Sequence, residues 1–346
     1  MRALVLEDIG KLVLKEVEDP VVVPGSVLVK VHACGICGSD IRIVNYGNPR
    51  VKMPAILGHE SAGEVVAVGE GVTKFKVGDK VAIGSDVPCG KCVYCEAGIG
   101  NVCETNYAMG YQFAGSFAEY VLLNPLVVEF GPVHLIPPGV SYEESALAEP
   151  LACCLNALEL CGVNLGETVV VIGGGPIGCM IMEVAKRMGA GKVIAVLRSR
   201  KRMDVVSKVA DVVLISTEED IKQRVKEETY GLGADVVITA CSSPEAQLDA
   251  LFFVRGRGRV NFFGGLPPDS VRPTLDTNII HYRELLVTGT HGSVPRHHRQ
   301  ALSLIGQKLI DVKKYISSVY PLNEGVEAFR KASEKSEMRI VIRSAE

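Results

Sequence analysis

Cys37, His59 and either Glu60 or Glu149 offer one sulfur, one imidazole nitrogen and one carboxylate oxygen. Zinc held by three protein donors keeps a fourth position open for water or substrate, so this set describes a catalytic metal site. A histidine beside a glutamate is also an ordinary loop pair, and the triplet therefore needs support from the rest of the chain. A second group is more self-sufficient. Cys89, Cys92, Cys95 and Cys103 follow the spacing C-x2-C-x2-C-x7-C within a Gly-rich stretch. Four thiolates from one short loop can close around a tetrahedral zinc with no position left for substrate, which makes this a structural site. An iron–sulfur cluster is the competing chemistry, but its cysteine runs carry a different final spacing. Cys153, Cys154, Cys161, Cys179 and Cys241 sit in apolar helical or strand contexts and read as core, and Cys34 reads as structural.

A third constellation handles phosphate. Gly173-Gly174-Gly175-Pro176-Ile177-Gly178 matches G-x-G-x-x-G directly after the apolar run Val169 to Ile172 and ahead of a helical pattern. Gly173 allows the tight turn, Gly175 lets the backbone approach a pyrophosphate, and Gly178 lets helix pack on strand, with the helix N-terminus facing the phosphates. An NAD site ordinarily offers Asp or Glu at the end of the second strand for the ribose hydroxyls, whereas this chain has Leu197 there. Arg198-Ser199-Arg200-Lys201-Arg202 follows, cations suited to a 2′-phosphate. The expected cofactor is therefore NADP(H), with Arg198 and Arg202 as contacts and NAD(H) as the alternative.

These residues need two kinds of scaffold. From residue 1 to about 150, short β runs (2–6, 26–33, 62–68, 80–83 and 117–123) are separated by Gly- and Pro-rich turns, as in a barrel-like β domain. From 151 to 290, strands at 168–172, 192–197, 235–239, 259–263 and 285–289 alternate with helices at 177–188, 219–230 and 244–254, the pattern of a doubly wound parallel sheet. Residues 291–346 carry helices at 299–305 and 323–333 and a strand at 339–342, and are expected to return to the first domain. A length of 346 residues suits two domains. Lys plus Arg total 37 against 40 Asp plus Glu, a balance that disfavours nucleic acid as a partner. The start, Met1 to Leu6, is too short before Glu7 for a signal peptide, and no apolar run reaches the ~18 residues of a membrane span. A cytoplasmic enzyme with no membrane partner is expected.

In this order, Cys34-Gly35-Ile36-Cys37-Gly38-Ser39-Asp40, Gly58-His59-Glu60, the four-cysteine lobe (about 86–105), Gly115-Ser116-Phe117-Ala118-Glu119-Tyr120, Glu149-Pro150-Leu151 and the glycine loop resemble the zinc-containing medium-chain alcohol dehydrogenases, in particular the sorbitol and xylitol dehydrogenase branch. The resemblance implies a GroES-like β-barrel catalytic domain, an inserted Rossmann domain and an active site in the cleft between them. It implies two zinc ions per chain, Cys37 and His59 as ligands of the catalytic one, and Glu149 where other branches place a cysteine, with Glu60 binding directly or exchanging with water. Ser39 is implied as the hydroxyl that passes on the alcohol proton, and Asp40 as the group behind His59. Related enzymes carry a histidine near the position of Arg42, which cannot release a proton. His291, His297 and His298 are candidates for the relay but read more readily as loop surface, and Tyr46 and Phe113 as pocket lining. The implied reaction is hydride transfer between a secondary alcohol of a polyol, sugar acid or cyclitol and NAD(P), in a homotetramer or homodimer with a small alcohol or ketone as substrate. Two alternatives stand beside it: an L-threonine dehydrogenase-like enzyme and a non-catalytic nucleotide-binding protein of the same fold.

Overall fold

The computed structural model describes residues 1–267 and 270–344. Its contacts divide the chain into Met1–Ala152 with Gly292–Glu346, and Cys153–His291.

In the first unit, Val27, Val29, Val31 and Ala33 alternate inward, and all four are fully buried. That period of two makes Val27–Gly35 the central strand of a seven-stranded sheet. Glu60–Val68 pairs with it antiparallel on one side, with Glu60 opposite Gly35, and Arg339–Arg343 pairs on the other, with Val341 opposite Gly35. Both flanking strands therefore meet the central strand at the same end. The strand that reads as 62–68 in sequence begins at Glu60, and the one that reads as 26–33 runs on to Gly35. These extra residues carry the paired backbone into the segments that bear Cys37, His59 and Glu60. The apolar core beneath includes Leu4, Leu57, Phe117, Leu123 and Phe329.

The second unit holds a six-stranded parallel sheet. Its spatial order is Val212–Ile215, Lys192–Leu197, Thr168–Ile172, Ala234–Thr239, Val254–Phe262 and Leu286–Gly289. Chain order reverses direction on either side of Thr168–Ile172, which is the Rossmann arrangement and its switch point. Val169, Val170 and Val171 are fully buried, as expected for a strand covered on both faces. The short edge strand Val212–Ile215 has no counterpart in the sequence reading, because four apolar residues after Asp211 carry no periodic signal. Among the described residues, no helix is long and apolar enough to cross a membrane.

Candidate active site

Cys37 lies just past the end of the central strand and caps the helix Gly38–Tyr46. Its backbone N–H donates to Asp40 Oδ2 at 2.9 Å, which ties the start of the helix to the carboxylate. Asp40 is fully buried, and its Oδ1 stands 3.3 Å from Nδ1 of His59. A carboxylate behind Nδ1 fixes the imidazole so that Nε2 faces the other way, as in metal-binding histidines. Nε2 is 3.3 Å from the hydroxyl of Ser39. Gly58 is required at the turn before His59: its φ is +101°, and a Cβ there would lie 2.8 Å from Cys34 Sγ and 2.9 Å from the Phe117 ring.

His59 and Glu60 are not a surface loop pair; they are 4 % and 0 % exposed. Ligand atoms of Cys37, His59 and Glu60 lie within 4.8 Å of one another. Burial disfavours a charged His59, but the Asp40 carboxylate and the Cys37 thiol outweigh it and hold the imidazole well above its ordinary pKa. A field that favours a proton at this nitrogen also favours a metal cation. Sulfur, nitrogen and oxygen donors converging on one point suit zinc with a position to spare.

Arg339 contributes to this site from the far strand, a role that its local sequence does not signal. Its Nη1 donates to the Ile36 carbonyl at 2.8 Å and to Glu60 Oε1 at 3.0 Å. Glu60 Oε2 is left buried with no hydrogen-bond partner, the state of an oxygen shaped for a ligand that is not a protein group. Burial works against the Arg339 charge, yet Glu60, Cys37 and Glu149 raise its pKa further. Glu149, buried on the helix Ala148–Cys161, therefore sits in the same electrostatic environment but outside the group of three whose ligand atoms converge.

The four cysteines come together as their spacing predicts. Cys89 and Cys95 sulfurs are 3.8 Å apart, Cys92 and Cys95 3.5 Å, and Cys92 and Cys103 3.8 Å. A tetrahedron with Zn–S bonds of ~2.3 Å has edges of about 3.8 Å, so the cage already has the size of a zinc site. Burial raises the Cys103 thiol, but backbone N–H groups of Asn106, Cys89 and Thr105 prevail and bring it down to about 6. The paired strands Asp86–Val87 and Tyr107–Ala108 bracket the lobe.

In the second unit, the glycine loop makes the turn that its motif requires. Gly173 has φ +123°, and a Cβ on Gly178 would lie 2.0 Å from the Gly173 carbonyl oxygen. The helix Pro176–Arg187 starts at Gly175, with Pro176 in its first turn, followed by Ile177. The cation cluster divides. Arg200 is bound to Glu218 at 2.5 Å, Arg198 is exposed, and an Arg202 nitrogen lies 3.3 Å from where a Gly175 Cβ would be. Burial lowers the Arg202 pKa.

Three expectations change. The helix read as 299–305 begins at Pro295, and this puts His297 and His298 on its buried face at 1 % exposure rather than in a surface loop. His298 Nδ1 meets His134 Nδ1 at 2.9 Å. Tyr46, expected to line a pocket, is 66 % exposed at the last residue of its helix, while Phe113 packs on Tyr107 with ring centres 5.2 Å apart. The aromatic ring beside the metal-type cluster is Tyr111, 6.0 Å from the His59 ring, a residue that sequence reasoning did not single out.

Two family models match the chain: the alcohol dehydrogenase GroES-like domain over residues 23–129 and the zinc-binding dehydrogenase over residues 176–307. The chain is 36 % identical to a D-arabitol-phosphate dehydrogenase of Enterococcus avium, over 92 % of its own length and 90 % of the relative's. It is also 36 % identical to an L-threonine 3-dehydrogenase of Bacillus licheniformis, over 88 % of each chain. Among solved structures, a zinc-binding dehydrogenase from Sinorhizobium meliloti bound to NADP superposes with a TM-score of 0.92 at 30 % identity, covering 99 % of both chains.

Proposed function

The chain belongs to the zinc-binding, GroES-like alcohol dehydrogenases, and from that premise we propose that it interconverts a secondary alcohol of a polyol, sugar acid or cyclitol with its ketone, using NADP(H) in preference to NAD(H). The observation that carries this reading is the convergence of Cys37, His59 and Glu60 with Asp40 placed behind the imidazole. A zinc ion held there would supply acidification of the alcohol hydroxyl, and a bound nicotinamide would supply hydride acceptance.

The chain's own residues do the rest. Cys37 and His59 Nε2 hold the metal, and Asp40 keeps the imidazole in the ligating orientation. Arg339 fixes Glu60 through Oε1 and leaves Oε2 for the metal or for exchange with water. Glu149 balances the Arg339 charge from its buried helix and remains the alternative carboxylate donor. The Ser39 hydroxyl, 3.3 Å from Nε2, takes the alcohol proton. Arg42 is exposed and cannot relay it, so the proton leaves Ser39 toward solvent. In the second unit, Gly173, Gly175, Pro176, Ile177 and Gly178 bind the pyrophosphate at the helix N-terminus. Arg202 and the exposed Arg198 meet the 2′-phosphate.

A second zinc fills Cys89, Cys92, Cys95 and Cys103. Clustered thiolates kept for metal suit a reducing cytoplasm. The open sheet edge at Leu286–Gly289, with Leu286 60 % exposed, supports assembly of identical copies into a homotetramer or homodimer. The test is reduced-cofactor absorbance with a panel of polyols, sugar acids, cyclitols and L-threonine, each with both cofactors. Turnover of a polyol-type alcohol supports the proposal. Turnover of L-threonine alone favours the amino-alcohol reading, and no turnover of any alcohol by zinc-loaded protein leaves only nucleotide binding.

A further inference from the structure

Beyond the metal donors, one cation stands a single aromatic ring away from His59. The helix Gly38–Tyr46 ends at Gly47 (φ +72°), and the turn after it brings the Arg50 backbone N–H onto the Asn48 side chain at 2.9 Å. The Arg50 guanidinium then lies 4.9 Å over the centre of the Tyr111 ring, whose other neighbour is the His59 ring at 6.0 Å. Its Nη2 donates to the carbonyl oxygen of Asn106 and, at 3.4 Å, to Gln112 Oε1. Asn106 presents that carbonyl from a left-handed conformation (φ +46°), which asparagine tolerates.

Every group that holds Arg50 is neutral. Among the described residues no carboxylate pairs with it, in contrast to Arg339, which faces Glu60, and Arg200, which faces Glu218. Neutral acceptors and a ring face fix the guanidinium without cancelling its charge, and Nε and Nη1 have no hydrogen-bond partner among the described residues. A partly buried guanidinium with Nε–H and Nη1–H unspent can give a charge-assisted hydrogen bond to an oxygen of a carboxylate or phosphate. Neutral hydroxyls give no comparable return for holding a full charge there.

We propose that Arg50 is a specificity-determining residue that selects substrates carrying a terminal anionic group, a phosphate ester or a carboxylate, on the polyol chain whose alcohol carbon lies at Cys37, His59 and Glu60. The inference rests on the reading of this site as that of an alcohol dehydrogenase. Tyr111 forms the wall along which the chain runs from the metal donors to the guanidinium.

The experiment pairs calorimetric binding with steady-state kinetics for a pentitol phosphate, the matching pentonate and the neutral pentitol, on wild type, Arg50→Gln and Arg50→Lys. The wild type is expected to prefer at least one anionic ligand, and Arg50→Gln to reduce that preference by about 10- to 100-fold, the worth of a charge-assisted hydrogen bond. Arg50→Lys, which keeps the positive charge, should retain part of the preference that Arg50→Gln loses. The melting temperature of each variant reports on the fold, and the wild-type comparison stands even if a variant fails to fold. Equal binding of the three ligands by wild type, or an unchanged preference in a folded Arg50→Gln, overturns the proposal. Anion-selective binding with no alcohol oxidised removes the dehydrogenase reading but keeps the role of Arg50. Oxidation without anion preference does the reverse.

Discussion

The four-cysteine lobe and the Cys37–His59–Glu60 cluster lie in the same unit and are built in opposite ways. The lobe draws four identical donors from one short loop, and its sulfurs already stand at the corners of a zinc-sized tetrahedron. The cluster draws three different donors from two segments and needs Arg339, 279 residues from Glu60, to hold one of them. A closed local site can be completed by its own loop, whereas an open site must be braced by the surrounding fold so that one position stays free. Local closure suits a structural role, and distant bracing suits chemistry.

The largest break in this comparison should come from the donors themselves. Cys37→Ser is expected to lower turnover by on the order of a thousandfold or more, since loss of Lewis-acid assistance removes several kcal/mol of transition-state stabilisation. Metal analysis should then find the lobe ion retained, and two ions still bound per chain would contradict the ligand assignment. Next in size, Arg339→Met strands a buried Glu60 carboxylate, for a loss of about 3–5 kcal/mol of stability. Denaturant unfolding measures it, and a variant as stable as wild type would mean that Glu60 does not depend on this partner. Asp40→Asn should cost about 10- to 100-fold in metal affinity at the cluster with the lobe unaffected, readable by competition with a chelator.

The last break is set by pH. His134 and His298 are lowered to about 4 and about 3, chiefly by burial, with Arg299 opposing a charge on the first and His134 on the second. Folded values below the unfolded value of ~6.5 mean that the unfolded chain binds more protons in acid. Stability is therefore complete above about pH 6.5 and falls as pH drops toward 4 and 3. His298→Phe should flatten that slope in urea midpoints taken from pH 7 to 4, and an unaltered slope would show that the pair does not titrate with folding. Because this pair fastens the returning segment that also carries Arg339, its loosening should disturb the braced cluster more than the lobe.

What could be read from the sequence follows the same division. The lobe, the glycine turn and the alternation of strands and helices are local patterns, and short-range spacing reports them faithfully. Cys37 and His59 stand out as candidate donors by residue type, whereas Asp40 behind His59 is implied by the family resemblance. Arg339 is not readable, since an arginine opening a strand has no local mark and its meaning comes from the register that brings it beside Glu60. Tyr111 and Arg50 were missed for a similar reason, as their partners are fixed by turns rather than by periodic elements. His297 and His298 were misplaced because a helix start four residues earlier turns them inward.

The span between Glu60 and Arg339 also sets a schedule. A ribosome adding about 5–20 residues each second completes the lobe within a few seconds of its first cysteine, but takes tens of seconds to pass from Glu60 to Arg339. During that interval the nascent sheet has a carboxylate with no counter-charge and an unfilled edge beside its central strand. The lobe can be loaded while the chain is still being made, and the cluster reaches its finished form only after the last strand has docked.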